Sequence, residues 1–180
     1  MIYATELFFD AASEKAIQDI WTSFSEKSIS TYMTDMGAKP HLTLGIFHDI
    51  NEEAFTESLR AFTRQYSSFM MQFSSLGIFT SPKSCLFLAP VVTHKLLGLH
   101  TAFHEAFSSC DHEGWEYYLP NNWVPHCALD IALNSVGIEH STSYMMDCFT
   151  PINATVESIG LVKVEKPVTY LSSFSLSSSG

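Results

Sequence analysis

Two histidines stand in near-copies of one string, Lys39-Pro40-His41-Leu42-Thr43-Leu44 and Val124-Pro125-His126-Cys127-Ala128-Leu129. The interval from position 41 to position 126 is close to half of the 180-residue chain. An imidazole titrates near neutrality and can move a proton in either direction. Cleavage of a phosphodiester needs two such transfers, one from the attacking hydroxyl or water and one to the departing oxygen. Two imidazoles on opposite sides of one phosphorus would supply both without a metal. Thr43 adds a hydroxyl that can donate to a phosphate oxygen.

These roles require strands under the two strings. Pro40 biases Lys39 to an extended conformation, and the apolar run from His41 to Phe47 reads as a strand. Side chains alternate between strand faces, so His41 and Thr43 share one face, about 6 to 7 Å apart along the chain, while Leu42 and Leu44 point to the core. By the same parity His126 faces with Ala128, and Cys127 and Leu129 point the other way. Cys127 is therefore not expected to be a nucleophile activated by His126.

The surrounding elements follow from periodicity. Ile2 to Phe9 reads as a strand, then Ile17, Ile20, Trp21 and Phe24 mark a helix that Asp10 or Ser13 could cap. Ser25 to Ala38 reads as a loop. Phe55, Leu59, Phe62 and Tyr66 predict a helix over 51–66, with Glu52 and Glu53 in its first turn. Phe69 to Phe79 and Ser84 to Val91 read as a hairpin turning through Thr80-Ser81-Pro82-Lys83. A helix over 93–109 carries Leu96, Leu97, His100, Phe103 and Phe107 on one face. A polar turn through Gly114 and an aromatic stretch then lead to the second histidine strand, 125–133. A helix over 135–148 and strands near 154–164 and 168–176 close the chain. With no low-complexity linker, residues 1–180 read as one bilobal α+β domain.

Composition narrows the function. The apolar content of 46% suffices for a core, and a net charge of −10 argues against a surface for long nucleic acid. A single terminal phosphate remains within reach of a few local donors. No stretch has the length of a membrane span, and no signal peptide is evident, so a cytoplasmic location with no membrane partner is expected. Cys85, Cys110, Cys127 and Cys148 form no CxxC pair and read as free thiols.

The strings His41-Leu42-Thr43-Leu44 and His126-Cys127-Ala128-Leu129, the latter led by Trp123-Val124-Pro125, resemble the 2H phosphoesterase superfamily in its 2′-5′ RNA ligase-like branch. Tyr3 to Asp10, Leu76-Gly77-Ile78-Phe79, Leu86-Phe87-Leu88-Ala89-Pro90 and the Leu99-His100 helix extend the resemblance over essentially the whole chain. It implies a duplicated fold in which two antiparallel sheets, with helices packed outside, form a central groove holding both histidines. It also implies chemistry on a 2′,3′-cyclic phosphate or a 2′-5′ phosphodiester, reversible toward ligation, on a nucleotide or RNA terminus, with no cofactor and no metal. The family pattern has Thr or Ser two residues after each histidine. Ala128 departs from it and removes one phosphate donor, which motivates a second reading as a weakened nucleotide or RNA-end binding module.

Accessory candidates are fewer. Glu6 is a carboxylate on an otherwise apolar strand face and could orient an imidazole or sit at a solvated edge. Lys83 could reach a phosphate or be a solvated turn residue. Trp115, Tyr118 and Trp123 could stack on a base or pack in the core. His100 and His104, with His94 and Glu105 nearby, have helical spacing for a shared zinc, but no HExxH or cysteine partner accompanies them. A monomer is expected.

Overall fold

A computed structural model describes residues 1–80, 84–110, 115–132 and 135–178. Its elements alternate as the periodicities predict. β1 (Ile2–Phe9) leads to α1 (Ala11–Glu26) and a short α2 (Tyr32–Met36), then β2 (His41–His48) and α3 (Glu52–Thr63). β3 (Phe69–Phe79) and β4 (Ser84–Pro90) follow, then α4 (His94–Ala106) and β5 (Cys127–Ala132). α5 (Ser135–Cys148), β6 (Ile152–Lys163) and β7 (Thr169–Ser175) complete the order.

All strand pairs are antiparallel and share one hydrogen-bonded sheet in the order β2-β1-β6-β3-β4-β5, with β7 also on β6. The two sheets expected from the sequence are thus two halves of one sheet. β6 joins them because it is long: Val156 to Lys163 pair with β1, Ile152 to Val156 with β3, and Ser158 to Lys163 with β7. The motif strands β2 and β5 lie at opposite ends of this order, yet they touch, because the sheet twists and curls its ends together.

The core lies between one sheet face and the helices. Leu7, Leu42, Leu44, Leu86, Leu88, Cys127 and Leu129 meet Ile17, Trp21 and Phe24 of α1, Phe55, Leu59 and Phe62 of α3, and Leu96, Leu99 and Phe103 of α4. A smaller cluster of Ala4, Phe8 and Val162, with Tyr170 against it, occupies the other face. The predicted parity of both motifs therefore holds: Leu42 and Leu44 are fully buried, as are Cys127 and Leu129, while His41 and His126 stay partly accessible.

Three expectations change. The segment read as a loop contains α2, whose single buried side chain, Met33, is too little for a periodic signal; Gly37 ends it in the left-handed region at φ 63°. On α4 it is Leu99, not Leu97, that is buried, because the helix begins at Thr93 as its cap and turns Leu97 to solvent. His126 stands one residue before β5, whereas His41 opens β2. The turn residue Lys83 and Gly114 lie outside the described residues.

The duplication reaches into the backbone. Between β1 and β2 the register passes from Thr5 opposite Gly45 to Glu6 opposite Thr43, leaving Leu44 as an extra residue. Between β4 and β5 it passes from Leu86 opposite Asp130 to Phe87 opposite Ala128, leaving Leu129 extra. Each strand thus bulges at the third residue beyond its histidine, where the bend re-aims the side chains before it.

Candidate active site

Each motif histidine is fixed the same way by its own backbone. His41 Nδ1 lies 2.6 Å from the Lys39 carbonyl oxygen, and His126 Nδ1 lies 2.7 Å from the Val124 carbonyl oxygen. A carbonyl only accepts, so in both rings Nδ1 carries a hydrogen and Nε2 is the nitrogen left to exchange a proton. The Lys39 peptide is itself held: its N–H donates to the Tyr170 hydroxyl of β7 at 2.6 Å, and its amine sits 5.3 Å above that ring.

The carbonyls two residues further on are held by indoles. Trp123 Nε1 donates to the Thr43 carbonyl at 3.0 Å, and Trp21 Nε1 of α1 donates to the Ala128 carbonyl at 3.2 Å. The Cys127 thiol faces the backbone N–H of His41, and burial pushes it up to about 12, so it is no nucleophile at neutral pH. The same contact joins the two motifs across the curled sheet.

The two histidines differ in surroundings. Phe79 meets the His126 ring edge-on at 4.9 Å, with Phe87 at 5.4 Å and Tyr118 at 6.3 Å between ring centres. Burial among these rings holds His126 below the ordinary imidazole value, the Val124 carbonyl opposes this, and any charge on nearby His41 adds to it. Beside His41 lies a carboxylate instead: Glu6 Oε1 is 3.4 Å from His41 Nε2. Glu6 is buried, not at a solvated edge, and desolvation raises its pKa against the pull of His41. Thr43 is buried in register with Glu6, and the Tyr118 phenol faces its hydroxyl.

The remaining aromatic and histidine candidates sort by contact. Trp123 stacks on His100, with ring centres 3.9 Å apart and planes within 2°, which makes it a packed residue. Trp115 donates to His48 Nε2 at 3.1 Å, at the far end of β2 from His41. His100 and His104 spend their Nε2 atoms on the carbonyls of Tyr118 and Leu44 at 2.8 and 3.0 Å, tying α4 to the site strand. Burial and the neighbouring His104 bring His100 down to about 4. Among the described residues no group of three or more His, Cys, Asp or Glu side chains could hold a metal ion. A cavity of about 540 Å³ beside His48, Asn51, Ser58 and Cys110 lies seven residues along β2 from His41, roughly 23 Å at strand rise, and is a separate feature.

Site residues that the sequence did not single out as such are Phe79, Phe87 and Tyr170; Trp21 was read only as an apolar face residue of α1, not as the donor to the Ala128 carbonyl. One signal could have found Phe87: Gly77 inside a strand marks a close approach. A side chain there would stand 2.3 Å from the Phe87 ring.

The sequence profile of the 2'-5' RNA ligase superfamily matches residues 9–167, spanning both motifs. The chain belongs to that superfamily. Solved structures share its fold. The protein TT0787 of Thermus thermophilus is 18% identical, with 100% of both chains covered and a TM-score of 0.67. LigT of E. coli, crystallised with 3'-AMP, is 13% identical, with 97% of both chains covered and a TM-score of 0.59. No curated protein matches the chain. Membership places this protein among the 2H phosphoesterases, and among the described residues no helix is long and apolar enough to cross a membrane.

Proposed function

We propose that the protein is a metal-independent phosphoesterase that opens a 2′,3′-cyclic phosphate, or cleaves a 2′-5′ phosphodiester, at a nucleotide or RNA terminus. The observation that carries this is the matched pair of imidazoles, each with Nδ1 committed to a carbonyl and Nε2 available. His126, desolvated by Phe79 and Phe87, favours the neutral form and suits the base that takes a proton from water. His41, with an acceptor carboxylate at its Nε2, suits the acid that hands a proton to the departing oxygen. Thr43 donates to a phosphate oxygen, and Tyr118 completes that wall. Nucleotides fit as substrates because LigT, which shares this fold, has been crystallised with 3'-AMP, NADP+ and ATP. Both halves of the chain act as one unit, since each contributes one histidine.

Hydrolysis of a nucleoside 2′,3′-cyclic phosphate persists in EDTA and falls by at least about 10² in His41→Ala or His126→Ala, the scale of a lost general acid or base. Activity that needs a metal and survives His41→Ala removes the reading. Ala128 supports a second one, a nucleotide-binding module, which wins if the wild type binds cyclic phosphates without turning them over.

A further inference from the structure

Glu6 is the polar group of the site that the proton transfers leave unused. It is 5% exposed, its Oε1 faces the reactive nitrogen of His41, and its buried Oε2 has no hydrogen-bond partner among the described residues. It stands directly across from Thr43 on the same sheet face, so it borders the place where Thr43 would hold a phosphate. Gly160 of β6, its neighbour on the other side, adds no side chain there. The ionisable groups facing Glu6 are His41 on β2, Tyr118 before β5, Cys127 on β5 and Tyr170 on β7. Burial pushes the last three up to about 12, so they stay neutral, and among the described residues His41 is the counter-charge of Glu6.

We propose that Glu6 is a specificity-determining residue that admits the singly charged phosphodiester and rejects the doubly charged phosphomonoester. This rests on the phosphoesterase reading and says what that site selects. With His41 protonated the pair of Glu6 and His41 is neutral, so a diester adds one negative charge to the pocket and a doubly charged monoester adds two. In hydrolysis the water oxygen bonds to phosphorus and its proton goes to His126 Nε2. The phosphorus bond to the leaving oxygen breaks, and that oxygen takes the proton of His41 Nε2. The product is a monoester whose second ionisation lies near pH 6. The positive charge has moved from His41 to His126, and the product, on its second ionisation, places two negative charges beside the buried carboxylate of Glu6. Like charges placed together in a desolvated site repel strongly. The product is expelled, and free phosphomonoesters compete poorly.

The test is product inhibition in wild type and Glu6→Gln, with a nucleoside 2′-phosphate as inhibitor and the 2′,3′-cyclic phosphate as substrate. At about pH 8 the variant binds the monoester at least about tenfold more tightly than wild type, while its KM for the cyclic diester changes much less. The gap narrows at about pH 5.5, where the monoester is singly charged. Equal inhibition by the monoester at pH 8, or an equal tightening for diester and monoester, overturns the proposal. If Glu6→Gln does not fold, calorimetry on wild type in two buffers of different ionisation heat decides it. Monoester binding at about pH 7.5 takes up close to one proton more than diester binding, and an equal uptake overturns the proposal. A wild type that hydrolyses no cyclic phosphate removes the phosphoesterase reading instead, and the monoester-to-diester affinity ratio of the variant still reports on Glu6.

Discussion

Thr43 and Ala128 occupy matching places, two residues beyond their histidines and one before their bulges, with their carbonyls held by Trp123 and Trp21. Only the side chains differ, so the cost of the missing hydroxyl can be measured at one position. A hydrogen bond to a charged phosphate oxygen contributes about 1.5 to 3 kcal/mol. Ala128→Thr, across from Phe87, raises kcat/KM on a cyclic phosphate by at least about threefold if no other donor serves that oxygen. An unchanged rate assigns the task to another group, with Tyr118 the nearest candidate. Strand alternation alone revealed the shared face of His41 and Thr43 and the burial of Cys127. It could not reveal that Glu6 is buried beside His41 Nε2, because that follows from the pairing of β1 with β2 across some forty residues of chain. Nor could it separate a stacking Trp123 from a packed one: its partner, His100, is fixed by the tertiary fold.

At the scale of elements, Asp10 links α1 to the sheet. Its carboxylate accepts from the N–H groups of Ala12 and Ser13, capping the helix, and from the Thr155 N–H of β6 at 2.7 Å. Burial acts to raise its pKa, but these bonds and the Ser13 hydroxyl outweigh it and the net shift is downward. A lowered carboxylate stabilises the fold at pH values above its ordinary range, and that contribution disappears as pH falls through the lowered value. Asp10→Ala therefore costs about 1 to 2 kcal/mol near neutrality, seen as a Tm lower by about 2 to 6 °C, and the difference closes in acid. A difference that is constant down to acid pH would contradict the capping role. Asp10 was legible as a cap because it precedes an amphipathic run. α2 was not, because a five-residue helix with one buried side chain has no period to detect.

Across the whole molecule, a net charge of −10 accompanies a site for which we propose an anionic substrate. Long-range repulsion slows the approach of a phosphate, and salt screens it. Raising NaCl from about 20 to about 200 mM therefore raises kcat/KM for a cyclic mononucleotide or leaves it level. A steep fall of the kind seen with basic nucleic-acid surfaces would show a positive track that the sequence does not suggest. The order of strands was the least legible property, since periodicity finds strands but says nothing of which ones pair.

That order has a consequence for dividing the chain between its repeats. Cut between β4 and α4, the first fragment would hold two antiparallel strand pairs, β1 with β2 and β3 with β4, and no strand to bridge them. The bridge, β6, belongs to the second fragment, which in turn leaves β5 without its one sheet neighbour, β4. The two sequence repeats are therefore interleaved in the sheet rather than placed side by side. Reassembly of separately made fragments would have to restore β6 before either histidine could find its place.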